Sequence, residues 1–448
     1  MEKDMTVGNP AKIIWNFTLP VVIGNIFQQF YTMVDTVIVG KFVGTNALAA
    51  VGATGTICFL ILGFLMGLTA GFTVLTSQRF GAGDMAGMRK TVGSAAVLSV
   101  VISIIMTIVS MAGMKSLLKL MNTPDDIFHD AYMYIMIICA GIFAQVLYNL
   151  LAGILRALGN SKTPLYFLLF SAVLNILLDL LLIIVFHLGA PGAAYATVIA
   201  QGVSGILCLI YIIKKVPLLR LEKSDFRPNA HLIRTQLSLG FPMALQFSIT
   251  AIGTMMVQSA LNILGSIHVA AFTAANKIEQ VISQMYVALG TTMATYSAQN
   301  MGAGKVRRIH QGFMAATVIS FVYSAMAGVL TYYWGYKLTG LFVSENLDMV
   351  IGLVDIYLKC VALYFIPLAV VNVYRNGIQG MGFGLAAMMG GVAELVGRGV
   401  VATIASGYKS YWGICMASPV AWILAGVLFL VMYWMIMRRL KKSKRYEF

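Results

Sequence analysis

Apolar stretches of roughly 20 residues or more, each long enough to cross about 30 Å of hydrocarbon, recur along the whole chain. That single feature confines the fold to a bundle of membrane-spanning helices. The pattern predicts helices over 13–39, 47–77, 91–114, 130–155, 164–187, 191–213, 233–263, 269–298, 312–334, 349–377, 384–406 and 411–437. Composition agrees. Of 448 residues, 59% are hydrophobic and 10% charged, with mean hydropathy +0.86, too little charge to wet the surface of a soluble protein this long. The opening MEKDMTVGNPAK is polar and leads into an apolar stretch without a small-residue cleavage site, so insertion is expected to rely on the first helix itself.

A net charge of +15 could point to nucleic acid, but its distribution argues otherwise. The basic residues fall on alternate connections: Arg79, Arg89 and Lys90; Arg156 and Lys162; Lys214, Lys215, Arg220, Lys223, Arg227 and Arg234; Lys305, Arg307 and Arg308; and the RRLKKSKR end. The other connections hold only Lys41, Lys115, Lys119, Lys337 and Lys409. Basic loops stay in the cytoplasm, so both termini are expected there, and an even number of spans is required. The charge is therefore a topology signal, with no nucleic acid partner; the basic tail can touch anionic lipid. Cys58, Cys139, Cys208, Cys360 and Cys415 are scattered singly through apolar segments and support neither a disulfide framework nor a structural metal.

The halves resemble each other at a constant spacing. Phe17-Thr18-Leu19-Pro20 matches Leu239-Gly240-Phe241-Pro242; the segment from Asn46 to Ala53 matches that from His268 to Ala274; Ser77-Gln78-Arg79-Phe80-Gly81-Ala82-Gly83-Asp84 matches Ala298-Gln299-Asn300-Met301-Gly302-Ala303-Gly304-Lys305. A weaker match pairs Leu155–Gly159 with Ile378–Gly382. The expected organisation is an N-terminal six-helix lobe over 1–213, a basic cytoplasmic linker over 214–232 with Pro217 and Pro228, a C-terminal six-helix lobe over 233–437, and a basic tail over 438–448. Six helices being an even number, both lobes enter the membrane in the same sense, as in transporters built from parallel repeats.

On these residues the chain resembles the multidrug and toxic compound extrusion (MATE) family. The resemblance is carried by Pro20, by Gln28-Gln29-Phe30-Tyr31-Thr32-Met33-Val34-Asp35, by the paired QxxGAG segments, and by Arg156-Ala157-Leu158-Gly159-Asn160-Ser161-Lys162-Thr163-Pro164. It implies an all-α polytopic membrane protein with twelve transmembrane helices in two pseudo-symmetric lobes, V-shaped. It further implies an antiporter that exports amphipathic, often cationic, compounds in exchange for H+ or Na+.

Ionisable groups in hydrocarbon are costly, so each is a site candidate. Asp35 is predicted roughly 7 Å below the outer edge of the first helix, and Asp179 roughly 12 Å deep on the fifth. Asn175 lies one turn from Asp179 and shares its face. Thr197 enters on the sixth helix at roughly 10 Å, and Tyr134 on the fourth, shallower. Four helices of one lobe thus bring oxygen-bearing side chains to similar depth with no basic residue among them. Two carboxylates so placed can share a proton, or hold Na+ with the Asn and Thr oxygens as further hard ligands. This set resembles the cation site of the family's N-terminal lobe.

The second lobe differs. Its first predicted helix, 233–263, has no acid, a pattern resembling the family's DNA-damage-inducible branch. Asp355 with Lys359, and Glu394 with Arg398, stand at i,i+4 and read as structural pairs. Lys277 and Glu279 point to different sides of one helix and need partners elsewhere; Glu279 could face a cleft and attract cationic substrates. Arg375 is long enough to snorkel to the interface. With Glu279, the candidates for a substrate cavity are Gln28, Gln29, Tyr31 and Gln246, polar groups on helices that should avoid lipid.

The GxGxxG, Walker A and HExxH patterns are absent and the five histidines isolated, so neither an enzyme nor ATP-driven transport is expected, and no cofactor. A receptor would need a soluble sensor that the short connections do not provide. The runner-up is a flippase for lipid-linked precursors, which should carry unpaired Arg and Lys in its cavity. The expected protein is a monomeric multi-pass transporter of the cell membrane whose partners are small organic substrates and lipid.

Overall fold

The computed structural model describes residues 3–121, 123–341 and 347–443. Among them there is helix and no strand. In chain order the helices are α1 Pro10–Phe42, α2 Thr45–Gly81, α3 Met85–Leu120, α4 Asp125–Ala140, α5 Ile142–Ala157, α6 Lys162–Asp179, α7 Ala190–Lys215, α8 Ala230–Asn262, α9 Ser266–Gly302, α10 Val306–Trp334, α11 Leu347–Ala362, α12 Phe365–Gly380, α13 Gly384–Gly407, α14 Tyr411–Cys415 and α15 Ala417–Lys442. Each predicted segment falls on one helix or on two consecutive ones. The predicted fourth and tenth spans are both broken: α4 and α5 meet at 47°, α11 and α12 at 54°. At the second break the cause is Pro367, whose ring has no N–H for the carbonyl one turn back. At the first stands Gly141, packed against α7 so closely that a Cβ there would lie 2.3 Å from Val198 Cγ2.

Eight of the described helices are long and apolar enough to cross a membrane singly, ten if each broken pair is one span. The two other long helices, α1 and α9, carry a heavier polar load, including Asp35 in one and Glu279 in the other. Large apolar side chains such as Ile104, Ile108, Val318, Val322 and Trp434 stay exposed, as expected of surfaces solvated by lipid tails.

The chain forms two compact units. One comprises Met1–Asp4 and Ile23–Ala244, the other Met5–Val22 and Leu245–Phe448. α1 and α8 are thus each divided between units, and each changes unit two residues after its internal proline, Pro20 or Pro242. The first part of α8 packs on α2 in the N-terminal unit. There Gly67 and Gly71, one turn apart, face Gly240 and Ala244 so closely that a Cβ at Gly71 would sit 2.2 Å from Gly240 Cα. Small residues four apart let two backbones approach in this way. The first part of α1 packs in the C-terminal unit, where Thr18 and Thr292 join hydroxyls at 2.8 Å.

The repeated sequence motifs are repeated turns. Gly83 and Gly304, last in the two QxxGAG segments, both have φ 72°, in the left-handed region where glycine alone is unstrained. Residues 214–232 include two short 3-10 turns, Pro217–Leu219 and Lys223–Phe226, and the second lies on α3. A Cβ at Gly93 would meet the Asp225 carbonyl at 2.4 Å.

Candidate cation site

Three helices of the N-terminal unit each supply two polar side chains one turn apart: Tyr31 and Asp35 from α1, Asn175 and Asp179 from α6, Thr197 and Gln201 from α7. Residues four apart share a helical face, and these three faces meet. Asn175 Nδ2 donates to Thr197 Oγ1 at 3.4 Å. The carboxyls of Asp35 and Asp179 face each other. Tyr31 lies beside Gln28, Thr32 and Gln201 and in the field of Asp35. Tyr134, buried on α4, stands near Asp35, Asp179, Tyr31 and Cys58. All five predicted coupling residues therefore come together in one unit.

Electrostatically the site is one-sided. Asp179, Asn175 and Gln201 are buried. Asp35 Oδ1, Asn175 Oδ1, both Asp179 oxygens and Gln201 Oε1 are buried acceptors with no hydrogen-bond donor among the described residues. Among the described residues, neither Asp35 nor Asp179 has a salt bridge. Buried oxygens without donors are expensive, and a buried carboxylate more so, unless positive charge is supplied. The ligand set is hard oxygen, and no cluster of three His, Cys, Asp or Glu occurs among the described residues to suit a transition metal.

Asp179 is also the last α-helical residue before a π-helical turn, Leu180–Val185, in which the Phe186 N–H reaches back five residues to the Leu181 carbonyl. Such turns widen a helix and recur at functional sites. Nothing in the apolar run LLLIIV announces it. Gln201 joins the expected set, one turn after Thr197 and on the same face.

The remaining cavity candidates divide. Gln28 is exposed and Gln29 half-buried on α1, with Gln28 beside Tyr31. Gln246 and Glu279 lie in a separate polar centre of the C-terminal unit. Gln246 is 2.6 Å from the Gln379 amide and also faces Arg375. Glu279 is buried and accepts from the Tyr357 hydroxyl. The two i,i+4 pairs form, Asp355 with Lys359 at 2.6 Å and Glu394 with Arg398 at 3.2 Å. Arg375 does not snorkel. It turns inward to Glu394 at 3.5 Å and to Asn372 Oδ1 at 3.3 Å, because a buried carboxylate and an amide offer partners that the interface would otherwise provide.

An all-helical polytopic chain with the same turns in both halves, and helices shared between two units, has the construction of a membrane transporter assembled from a duplication. The chain belongs to the MatE family of multidrug efflux transporters: the family model matches residues 20–181 and again 240–404. It is 33% identical over 377 residues to the probable multidrug resistance protein YpnP of Bacillus subtilis (strain 168), covering 84% of this chain and 83% of that one. It is 23% identical over 433 residues to the FAD transporter of Shewanella oneidensis, covering 93% of each. A solved structure described as the outward-facing conformation of a multidrug resistance MATE family transporter superposes with TM-score 0.93 at 23% identity, over 98% of both chains.

Proposed function

We propose that the protein is a secondary antiporter of the cell membrane, both termini cytoplasmic, that exports amphipathic, cationic organic compounds in exchange for H+ or Na+. The coupling cation is bound in the N-terminal unit by Asp35 and Asp179, with Asn175 and Thr197 completing the oxygen set and Tyr134 closing it. The observation that carries this reading is the group of buried acceptors around the two facing carboxyls, none of which has a donor among the described residues. A proton shared between the carboxyls, or a sodium ion among the oxygens, supplies the missing positive charge. Binding then favours whichever arrangement of the transporter brings these oxygens together, and by linkage the gradient of that cation drives the exchange. The multidrug-resistance names of several relatives support efflux. In the C-terminal unit both internal arginines sit with Glu394, which speaks for efflux over a flippase with a basic cavity.

The test is transport of a fluorescent cation in proteoliposomes with proton and sodium gradients imposed separately. One of the two gradients should drive export in the native protein, and Asp35→Asn and Asp179→Asn should each abolish it while the protein still purifies as a folded monomer. Gradient-driven export by a folded Asp35→Asn protein would sink the assignment.

A further inference from the structure

α9 and α10 pack side by side in the C-terminal unit, joined where the Tyr286 and Ser324 hydroxyls meet at 2.9 Å, yet their open faces differ in kind. On α10 the exposed side chains along the span include Met314, Val318, Phe321, Val322, Met326 and Leu330, a surface made for lipid tails. On α9 the open face recurs at alternating steps of four and three residues. It carries Ser266, Thr273, Lys277, Gln280, Gln284 and Thr291, and only Ala270 and Val287 in that series are apolar. Polar and charged side chains of a span do not lie against hydrocarbon, so this face of α9 is solvated by water.

Lys277 is the one charge in that series. It stands eleven positions after Ser266, about 17 Å along the helix axis, and farther still from the other end of α9. A lysine stem is too short to snorkel over that distance. The side chain is exposed and has neither a salt bridge nor a hydrogen bond among the described residues. Glu279, two positions on, does not neutralise it: that carboxylate is buried and accepts from the Tyr357 hydroxyl. The polar neighbours of Lys277 turn donors back onto their own helix. Thr273 Oγ1 donates to the Val269 carbonyl at 2.8 Å, Gln280 Nε2 to Asn276 Oδ1 at 2.8 Å, and Gln284 Nε2 to the Gln280 carbonyl at 3.0 Å. Lys277 is thereby left as the strong donor of the face, with the Oε1 atoms of Gln280 and Gln284 as acceptors one and two turns along it.

We propose that Lys277 recognises an anionic group on the exported compound, so that the preferred substrates are amphipathic zwitterions in which a carboxylate accompanies the cationic centre. The ammonium receives the carboxylate, and the Gln280 and Gln284 oxygens receive N–H groups of the cationic end. A compound that is only cationic meets an unpaired like charge on this face and is disfavoured by it. A single ammonium matches a single carboxylate, whereas a pyrophosphate-linked lipid calls for several charges. The inference rests on the export reading for what is done with the compound; which compound is bound is decided by Lys277 and its two amide neighbours.

The test compares a rhodamine bearing a free carboxylate, a zwitterion, with the ethyl ester of the same dye, a cation of nearly the same size. Binding to the detergent-purified full chain is read by fluorescence anisotropy, and export in proteoliposomes under separately imposed proton and sodium gradients. The ratio of acid to ester affinity should fall about tenfold in Lys277→Gln, the worth of one hydrogen bond to a charged group. It should hold in Lys277→Arg, which keeps the charge. Melting temperature should be the same in all three proteins, because the ammonium has no protein partner to lose. A ratio that Lys277→Gln leaves unchanged overturns the proposal, and so does a native protein that does not bind the acid. If the ratio falls as expected but neither gradient drives export of either dye, the coupled-export reading fails while the role of Lys277 stands.

Discussion

The Asn175 side chain donates to Thr197 Oγ1 at 3.4 Å, so its Nδ2 is engaged by α7 while its Oδ1 stays buried without a donor. The amide is thereby oriented: α7 takes its Nδ2 and leaves its Oδ1 as an acceptor on the helical face that Asn175 shares with Asp179. Thr197→Val should release it. The expected effect is about 1 kcal/mol, or roughly fivefold weaker dependence of transport on the coupling cation, with melting temperature little changed because the hydroxyl is only half-buried. Half-maximal cation concentration in the proteoliposome assay is the measurement. An unchanged value would mean that Asn175 does not serve the site.

Asp84 caps α3. Its side chain accepts from the Gly87 N–H and from Arg79 Nη1, both at 2.8 Å. The Gly87 N–H first, and the Arg79 guanidinium after it, hold the Asp84 carboxyl below the usual carboxylate range. A carboxylate depressed in the folded state stabilises above its unfolded value, near pH 4, and that contribution is lost as pH falls through the folded value. Asp84→Ala should cost about 0.5–2 kcal/mol at pH 7 and progressively less below pH ~4. Most of this is cap, since the ion pair is largely exposed. Melting curves of detergent-purified protein across that pH range test the sign.

Gly71→Ala should destabilise the N-terminal unit by about 1–3 kcal/mol, since the added carbon meets backbone, which cannot rotate away. Gly113→Ala is the control. Nothing lies within 4 Å of a Cβ there, so the change should be neutral or slightly stabilising in a helix. Equal melting temperatures for the two variants would refute the close approach of α2 and α8.

Arg308 ties down the segment before α1. Its Nη2 donates to the Met5 carbonyl, Nη1 to the Gly8 carbonyl and Nε to Asn300 Oδ1, while Lys305 Nζ reaches Thr6. Met5 is buried beneath. Arg308→Ala should loosen this segment by about 2 kcal/mol, raising its opened population roughly 30-fold. Trypsin cleavage after Lys12 should then accelerate, and an unchanged cleavage rate would show that the segment is held by other means.

Much of this was legible in the chain. Asp35 and Asp179 stand out because a carboxylate in an apolar run has no cheap explanation. Asn175 follows from Asp179 by helical periodicity, and Asp355 with Lys359 by the same rule. The same rule reaches Gln201 from Thr197, but an amide in a span is a weaker signal than an acid. The length of Arg375 alone predicts an outward course to the interface, whereas its actual course depends on Glu394, nineteen positions on and one helix away. The π turn after Asp179 had no signal: six branched apolar residues suit an α-helix as well.

The sequence by itself determined where the spans run, that they form two related sets, and which side chains have no business in lipid. These follow from local hydrophobicity, helical period and repetition, all properties of residues close in the chain. Only the tertiary structure decided that α1 and α8 change unit beyond Pro20 and Pro242, that Asn175 meets Thr197, and that Asp35 and Asp179 lie without a salt bridge among the described residues while Glu394 sits between Arg375 and Arg398. A helix carries its faces in its sequence. Which faces meet is set by packing among helices far apart in the chain, and partnership, hence charge balance, is decided there.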